Sequence, residues 1–296
     1  MIEFKDLSLD DMELFNKSLK AFGPQASELS FTNLFMWRKS YNIRYALLNG
    51  YLLIISVPVN KEPFSFIPIG PYLKDSFNET VARLKEYFTE KGWEMKFKRV
   101  QEDRIHCFNG IFKEEPALDP DNSDYVYLSS NLTVLSGKKY DGKRNHIKNF
   151  KRSYEYEYIE LHNENTDECI RIVEDWCRQR SCSEHEDFFC ERLANIELLN
   201  NYETLGCKGG LIKVNGRFEA FTVGEMLNED TAVIHIEKAN TGINGLYTFV
   251  NQQFCENEWS GANFINREQD LGVEGIRKAK LSYKPVKMIN KYTVVV

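Results

Sequence analysis

The sequence predicts an α/β (α+β) protein made of two similar halves, each a mixed, mostly antiparallel sheet flanked by helices. Three observations carry that prediction. At 296 residues the chain exceeds the usual size of a single domain. Asn49-Gly50 and Asn215-Gly216 each lie between apolar runs of strand length, the strongest short-range hairpin signal a sequence gives. After each hairpin the periodicity passes through strand, helix, strand, helix and strand in the same order. The boundary between the halves falls near residue 130, giving regions 1–130 and 131–296.

In the first half, Ser8 with Asp11 three residues on marks a helix start. Met12, Leu14, Phe15 and Leu19 follow at helical spacing, and Gly23-Pro24 stops the helix. A short helix follows Ser30. Ile43 to Leu48 and Tyr51 to Val57 form the hairpin, and Phe64 to Ile69 a third strand. Ser76 and Glu79 read as a capping box for a helix with Val81, Leu84, Tyr87 and Phe88 inward, ended by Gly92. A strand over Trp93 to Val100, a short helix over Gln101 to Phe108 and a strand over Tyr125 to Leu128 complete this half.

In the second half, the stretch 138–152 and the segments Cys169 to Arg180 and Phe188 to Leu199 read as helices. The second hairpin pairs Leu211 to Val214 with Phe218 to Glu225, and Thr231 to Lys238 is the next strand. Leu246 to Glu258 is a helix with Phe249, Val250 and Phe254 inward. Ala262 to Asn266 is a strand, Val273 to Tyr283 a helix and Val286 to Val295 the last strand.

A hydrophobic fraction of 42%, with 20 Phe and 15 Tyr, is enough apolar area to exclude a disordered chain. The acidic start does not resemble a secretory signal. The longest apolar runs are of strand length, so a cytoplasmic protein with no integral membrane association is expected. Seven cysteines at irregular spacing fit reduced thiols. Cys177, Cys182, His185 and Cys190 have a spacing that zinc can use, but the helical pattern on both sides favours buried thiols and no metal.

The net charge of −6 conceals an asymmetry. Between residues 137 and 152 seven Lys and Arg face one Asp, a segment of +6 that leaves −12 for the rest of the chain. That balance excludes a general nucleic-acid coat, DNA binding included, and leaves room for one focused anion site. The chain carries no nucleophile elbow, no phosphate-binding P-loop and no HExxH pair, so hydrolase, NTPase and zincin chemistry have no support.

The order of elements, helices before a hairpin and a strand feeding directly into a helix, is similar to the GNAT acyltransferase fold. The runs FINREQDLGVEGIRKAKLSYKP from Phe264, IHIEKAN from Ile234 and GKRNHIKNFK from Gly142 resemble the family that contains the C-terminal domain of phosphatidylglycerol lysyltransferase. The resemblance spans nearly the whole chain. It implies a tandem GNAT-like fold related to the Fem aminoacyltransferases, and transfer of an aminoacyl group from charged tRNA to an amine or hydroxyl. The loop that holds coenzyme A in ordinary GNAT enzymes is replaced by Asn240 to Gly245, which leaves acyl-CoA neither indicated nor excluded as donor.

The candidate site residues follow from chemistry and position. Lys143, Arg144 and Lys148 in the basic segment suit the phosphates of tRNA or of a phosphorylated small molecule. Arg267, Glu268 and Asp270 lie just past a strand end, where α/β folds place their sites, and supply a cation and two carboxylates for acyl transfer. Glu237 and His235 share one face of a strand, with Glu225 on its neighbour. Tyr283 is positioned as an acid toward the leaving group, a role the resemblance implies, and Lys280, Lys284 and Asn240 are further donor-binding candidates. Two rival readings use the same residues: a non-catalytic RNA- or nucleotide-binding module, and a coenzyme A dependent N-acyltransferase.

Overall fold

Both Asn-Gly dipeptides form the turns that the sequence predicts. Asn49 and Asn215 have φ of 52° and 47°, followed by Gly50 at 82° and Gly216 at 84°. Two successive residues of positive φ match the twist of a tight hairpin. The first turn joins β2 (Ile43–Leu48) to β3 (Tyr51–Ser56), and the second joins β9 (Lys208–Val214) to β10 (Arg217–Met226).

The computed structural model describes residues 2–181 and 186–296. They fall into two units. Unit 1 takes Met1–Asp124, Gln269–Glu274 and Met288–Val296; unit 2 takes Tyr125–Glu268 and Gly275–Lys287. Each unit is built on a seven-stranded sheet with helices, the mixed, mostly antiparallel arrangement expected.

The sheet of unit 1 contains β1 (Lys5–Asp6), β2, β3, β4 (Phe64–Ser65), β5 (Lys96–Gln101), β6 (Ala117–Leu118) and β14 (Lys291–Val295), in the order β1-β2-β3-β4-β5-β14-β6. Ser8 and Asp11 cap the chain as it enters α1 (Met12–Phe22), the Asp11 carboxylate accepting the Ser8 amide at 2.8 Å. Helices α2 (Phe31–Tyr41) and α3 (Lys74–Glu90) complete the unit. The third strand is shorter than expected. Pro63 and Pro68 remove backbone donors, so regular pairing covers only Phe64–Ser65 and resumes as a single bridge from Ile69 to Leu52. Helix α3 begins at Lys74, with Leu73 as its N-cap, ahead of the Ser76–Glu79 box. Its inward residues Phe77, Val81, Leu84 and Phe88 are fully buried, Phe77 edge-on to Phe108 at 5.3 Å. A fully buried aromatic of this kind contributes about 3 kcal/mol from area alone.

The sheet of unit 2 runs β13-β7-β12-β11-β10-β9-β8. Its strands are β7 (Asp124–Leu128), β8 (Tyr156–Glu160), β9, β10, β11 (Thr231–Ala239), β12 (Phe264–Asn266) and β13 (Lys287–Ile289). The helices are α4 (Ser129–Val134), α5 (Asp141–Ser153), α6 (Thr166–Gln179), α7 (Glu186–Asn200), α8 (Tyr202–Leu205), α9 (Leu246–Glu258) and α10 (Glu274–Ser282), the last beginning one residue before the unit's Gly275. Helix α9 stacks Phe249 on Phe150 of α5 at 4.7 Å. Gly245, at the start of α9 with φ 86°, brings its backbone against α5, where a Cβ would lie 2.6 Å from the His146 carbonyl oxygen. No larger residue fits there without displacing one helix from the other.

The expected single strand over Val286 to Val295 is instead two strands in two sheets. Asn290 interrupts the ladder, and β14 then pairs antiparallel with both β5 and β6 of unit 1. The expectation of seven reduced thiols also needs correction: Cys177 is disulfide-bonded, while Cys107, Cys169, Cys190, Cys207 and Cys255 are free. The zinc-type spacing rests on Cys182 and His185, which lie outside the described residues. Among the described residues no helix is long and apolar enough to cross a membrane.

What holds β14 in unit 1 is electrostatic as well as apolar. Lys291 is completely buried, and its ammonium donates to Asp124 at 2.6 Å and to Glu28 at 2.5 Å. Asp124 also accepts the Ser27 amide at 2.8 Å and its hydroxyl at 2.9 Å, and Arg99 pairs with Glu28 at 3.1 Å. Removing one member of such a cluster strands the others in low dielectric. We therefore expect Lys291→Met to destabilise unit 1 by about 3 to 5 kcal/mol, measured by urea unfolding, despite its similar volume.

Candidate active site in unit 2

The site is created by an interruption of the sheet. β11 and β12 pair in parallel only from Thr231–Phe264 to Val233–Asn266, after which β11 continues to Ala239 while the other chain turns away. Beyond Val233, β11 is no longer paired on its β12 side. Thr222 on β10 lies directly opposite Glu237 and shares its face. Asn251 reaches in from α9, Lys143 from α5, and Tyr283 follows α10.

Glu237 and Arg267 form the centre. The guanidinium Nη2 donates to Glu237 Oε1 at 2.9 Å, with both side chains almost buried at 13% and 14% exposure. Asn251 Nδ2 donates to the other carboxylate oxygen at 2.8 Å. Arg267 Nη1 is also buried but has no acceptor among the described residues, and Asn251 Oδ1 and Thr222 Oγ1 likewise have no partner. Three unsatisfied polar atoms around one carboxylate are unusual in a native interior and make this a candidate position for a bound group or ordered water.

Tyr283 is the floor. Its ring centre lies 4.8 Å from the Arg267 guanidinium and 3.8 Å from the Lys143 ammonium. Burial raises the phenol pKa, against the opposing charge of Arg267, so the group is a hydrogen-bond donor at neutral pH. Burial, reinforced by repulsion from Arg267 and only partly offset by Glu237, lowers the Lys143 pKa to about 8.

A second cluster lies on the same strand. His235 has no cross-strand partner, because Gly224 pairs with Ile234 and Val223 with Ile236, and the strand bulges at this point. Its imidazole is completely buried, 2.9 Å from Glu225 and 3.0 Å from Glu268. Burial opposes its charge, but the two carboxylates outweigh that and raise its pKa to about 9. Glu268 itself has φ 56°, a left-handed conformation that is strained for a residue with a side chain. It is held there by Asn266, whose side chain accepts the Glu268 amide at 2.8 Å, and by Lys280, whose ammonium donates to the carbonyls of Arg267 and Glu268.

The structure thus brings together Lys143, Glu237, Arg267 and Tyr283, with Glu268 beside His235. Other candidates have different surroundings. Arg144 is engaged by the carbonyls of Leu135 and Gly137 and by the Asp141 carboxylate. Lys148 is exposed, Lys284 is exposed with φ 56°, and Lys280 points inward to backbone carbonyls. Asn240 donates to Glu219 at 2.9 Å and accepts the Gly242 amide at 2.9 Å, closing the turn before α9. Asp270 belongs to unit 1, where its buried carboxylate accepts the Gly272 amide at 2.8 Å. Thr222 and Asn251 were not anticipated. The signal for Asn251 was a polar side chain on the inward stripe of α9, between Thr248 and Cys255.

A family model described as phosphatidylglycerol lysyltransferase, C-terminal, matches residues 20–295. The chain belongs to that family. A crystal structure of a conserved protein of unknown function from Bacteroides thetaiotaomicron is 34% identical, with a TM-score of 0.92 and both chains covered in full. The structure of L-PGS from Bacillus licheniformis is 16% identical, with a TM-score of 0.63 over 96% of this chain and 91% of that one. A tandem GNAT protein from the clavulanic acid biosynthesis pathway is 10% identical at a TM-score of 0.53, covering 99% and 98%. These establish the family and the tandem GNAT-like fold. An uncharacterized protein of Mycoplasmoides gallisepticum is 25% identical over 58% of this chain, and the match spans only 56% of that protein's length.

The His235 cluster makes stability depend on pH in a definite direction. The imidazolium is favoured in the folded state, so its contribution is complete below pH 6.5 and is lost as pH rises through about 9. Urea unfolding at pH 6 and pH 10 is expected to differ by up to roughly 3 kcal/mol from this group, a difference that His235→Gln abolishes.

Proposed function

We propose that the chain is an acyltransferase of the aminoacyl-transferring kind, with its chemistry in unit 2. Family membership supports the class of reaction. The observation that carries the reading is the buried Arg267, fixed through one nitrogen by Glu237 and left with a second nitrogen that has no acceptor among the described residues. A preorganised donor of that kind, in a site of low dielectric, stabilises the charge that develops on an acyl oxygen.

In this reading an amine or hydroxyl attacks the acyl carbon of an activated ester directly, with no covalent enzyme intermediate. The acyl oxygen becomes an oxyanion facing Arg267. The proton lost by the nucleophile passes to a carboxylate, Glu268 or Glu237. The carbon–oxygen bond to the donor then breaks, and the departing oxygen takes a proton from the Tyr283 phenol, which the carboxylic acid replenishes. Glu237 keeps the guanidinium oriented, and Asp270 shapes the turn that follows. The donor is aminoacyl-tRNA, a reading supported by the family and by the exposed lysines of α5 such as Lys148.

Incubation of the protein with labelled aminoacyl-tRNA, and separately with labelled acetyl-coenzyme A, over a panel of amine and hydroxyl acceptors tests this. Transfer from the tRNA ester is expected. Arg267→Ala should lower kcat by about 10² to 10³ with the fold intact by circular dichroism. Glu237→Gln should give a smaller loss where Glu268 takes the proton, and a loss as large as that of Arg267→Ala where Glu237 does. Binding of tRNA without transfer from any donor would favour a silent binding module instead, and transfer from acetyl-coenzyme A alone would make this an ordinary acyltransferase.

A further inference from the structure

We propose that the outer edge of β8 is a docking site for an extended peptide that carries lysine or arginine. The strand is the last of the unit 2 sheet and has β9 as its single strand neighbour among the described residues. The Glu155 carbonyl accepts the Asn215 amide at 2.9 Å, and Leu161 donates to the Gly209 carbonyl at 2.9 Å. By the two-residue alternation of an antiparallel ladder, the backbone groups of Glu157 and Ile159 therefore face β9. Those of Tyr156, Tyr158 and Glu160 face away from it, and among the described residues no other backbone group takes them. A run of outward-facing donors and acceptors of this kind is the template on which an added strand pairs.

The side chains along this edge select the occupant. Residues 155–164 include Glu155, Glu157, Glu160 and Glu164 and no lysine or arginine. A second copy of β8 would bring the same carboxylates to the same edge, and like charges across a strand pair are destabilising. At the start of the strand the charge is already met: Lys213 lies 4.0 Å from Glu157, and the Lys151 ammonium lies 5.6 Å from the ring of the exposed Tyr156. The cation preference therefore belongs to the other end.

There, Glu160 ends the strand and lines a cavity of about 540 Å³ together with Glu164 and Glu203, all three exposed. Leu161 and Tyr202, both buried, supply apolar wall to the same cavity, and no lysine or arginine of the protein lines it. A lysine or arginine on a strand laid along β8 finds apolar surface for its methylene stem and carboxylates for its head. β9 and β10 separate this edge from β11, so docking here is independent of the acyl chemistry proposed above.

The test is fluorescence anisotropy of a labelled peptide of about seven residues that alternates valine and lysine, titrated with the full chain. Saturable binding that weakens with salt is expected, and the same peptide with glutamate in place of lysine should bind about ten-fold more weakly. Two further peptides, N-methylated at every valine or at every lysine, each lose the donors of one edge. One of them is expected to lose binding and the other to keep it. Glu160→Gln combined with Glu164→Gln should weaken the lysine peptide by about three- to ten-fold. Glu160→Pro, which removes an amide that faces away from β9, should abolish binding with the circular dichroism spectrum unchanged. Should that variant fail to fold, the pair of methylated peptides still decides the matter on the unaltered protein. Absence of saturable binding, equal effects of the two methylations, or unchanged binding by a folded Glu160→Pro overturns the docking site.

Discussion

The candidate site depends on the point where β11 and β12 stop pairing. Up to Val233, β11 is paired with β12; beyond it, that side of β11 has no strand partner among the described residues. There the side chains of β11 meet polar groups from other elements. Glu237, Arg267 and Asn251 form one hydrogen-bonded set, and His235 with Glu225 and Glu268 a second beside it.

Two kinds of charge management coexist on that one strand. At His235 the hydrogen bonding is closed: each ring nitrogen of the buried imidazolium meets a carboxylate, and Lys280 holds the segment carrying Glu268 in a strained conformation. At Glu237 it is open, because Arg267 brings more donors than the carboxylate accepts and Lys143 adds another. The closed cluster suits a rigid support and the open one suits binding. Rigid supports beside unsatisfied groups are what preorganised sites require, since a donor that must reorient loses much of its effect.

Much of this was legible in the sequence where local signals are strong. Both Asn-Gly hairpins, helix α9 over Leu246–Glu258 and the strand bearing His235 and Glu237 appear where periodicity and turn chemistry put them. Arg267, Glu268, Tyr283 and Lys143 could be singled out by residue type and position, but not their pairing, which depends on contacts between residues as far apart as 143 and 283. Arg144 shows the limit of counting charges. Its place in the basic run suggested a ligand, whereas the carbonyls at the end of α4 and the Asp141 carboxylate engage it locally. The bulge at His235 was invisible because a bulge is a property of two strands and their register, not of one. The division of the last strand between two sheets was missed for a similar reason: its residues favour extended structure throughout, and nothing local says where they pair.

That division has a consequence for how the protein is made. The sheet of unit 1 needs β14 between β5 and β6, and its buried acids need Lys291, yet residues 288–296 are synthesised after the whole of unit 2. During translation, unit 1 lacks the strand between β5 and β6 and the ammonium that Asp124 and Glu28 share, while unit 2 has its central hairpin and helices available to fold. The usual order, in which the earlier part of a chain settles first, is reversed. Closing the first sheet is then a late, long-range event, the slow kind, and the unfinished unit 1 is the species that chaperones would meet.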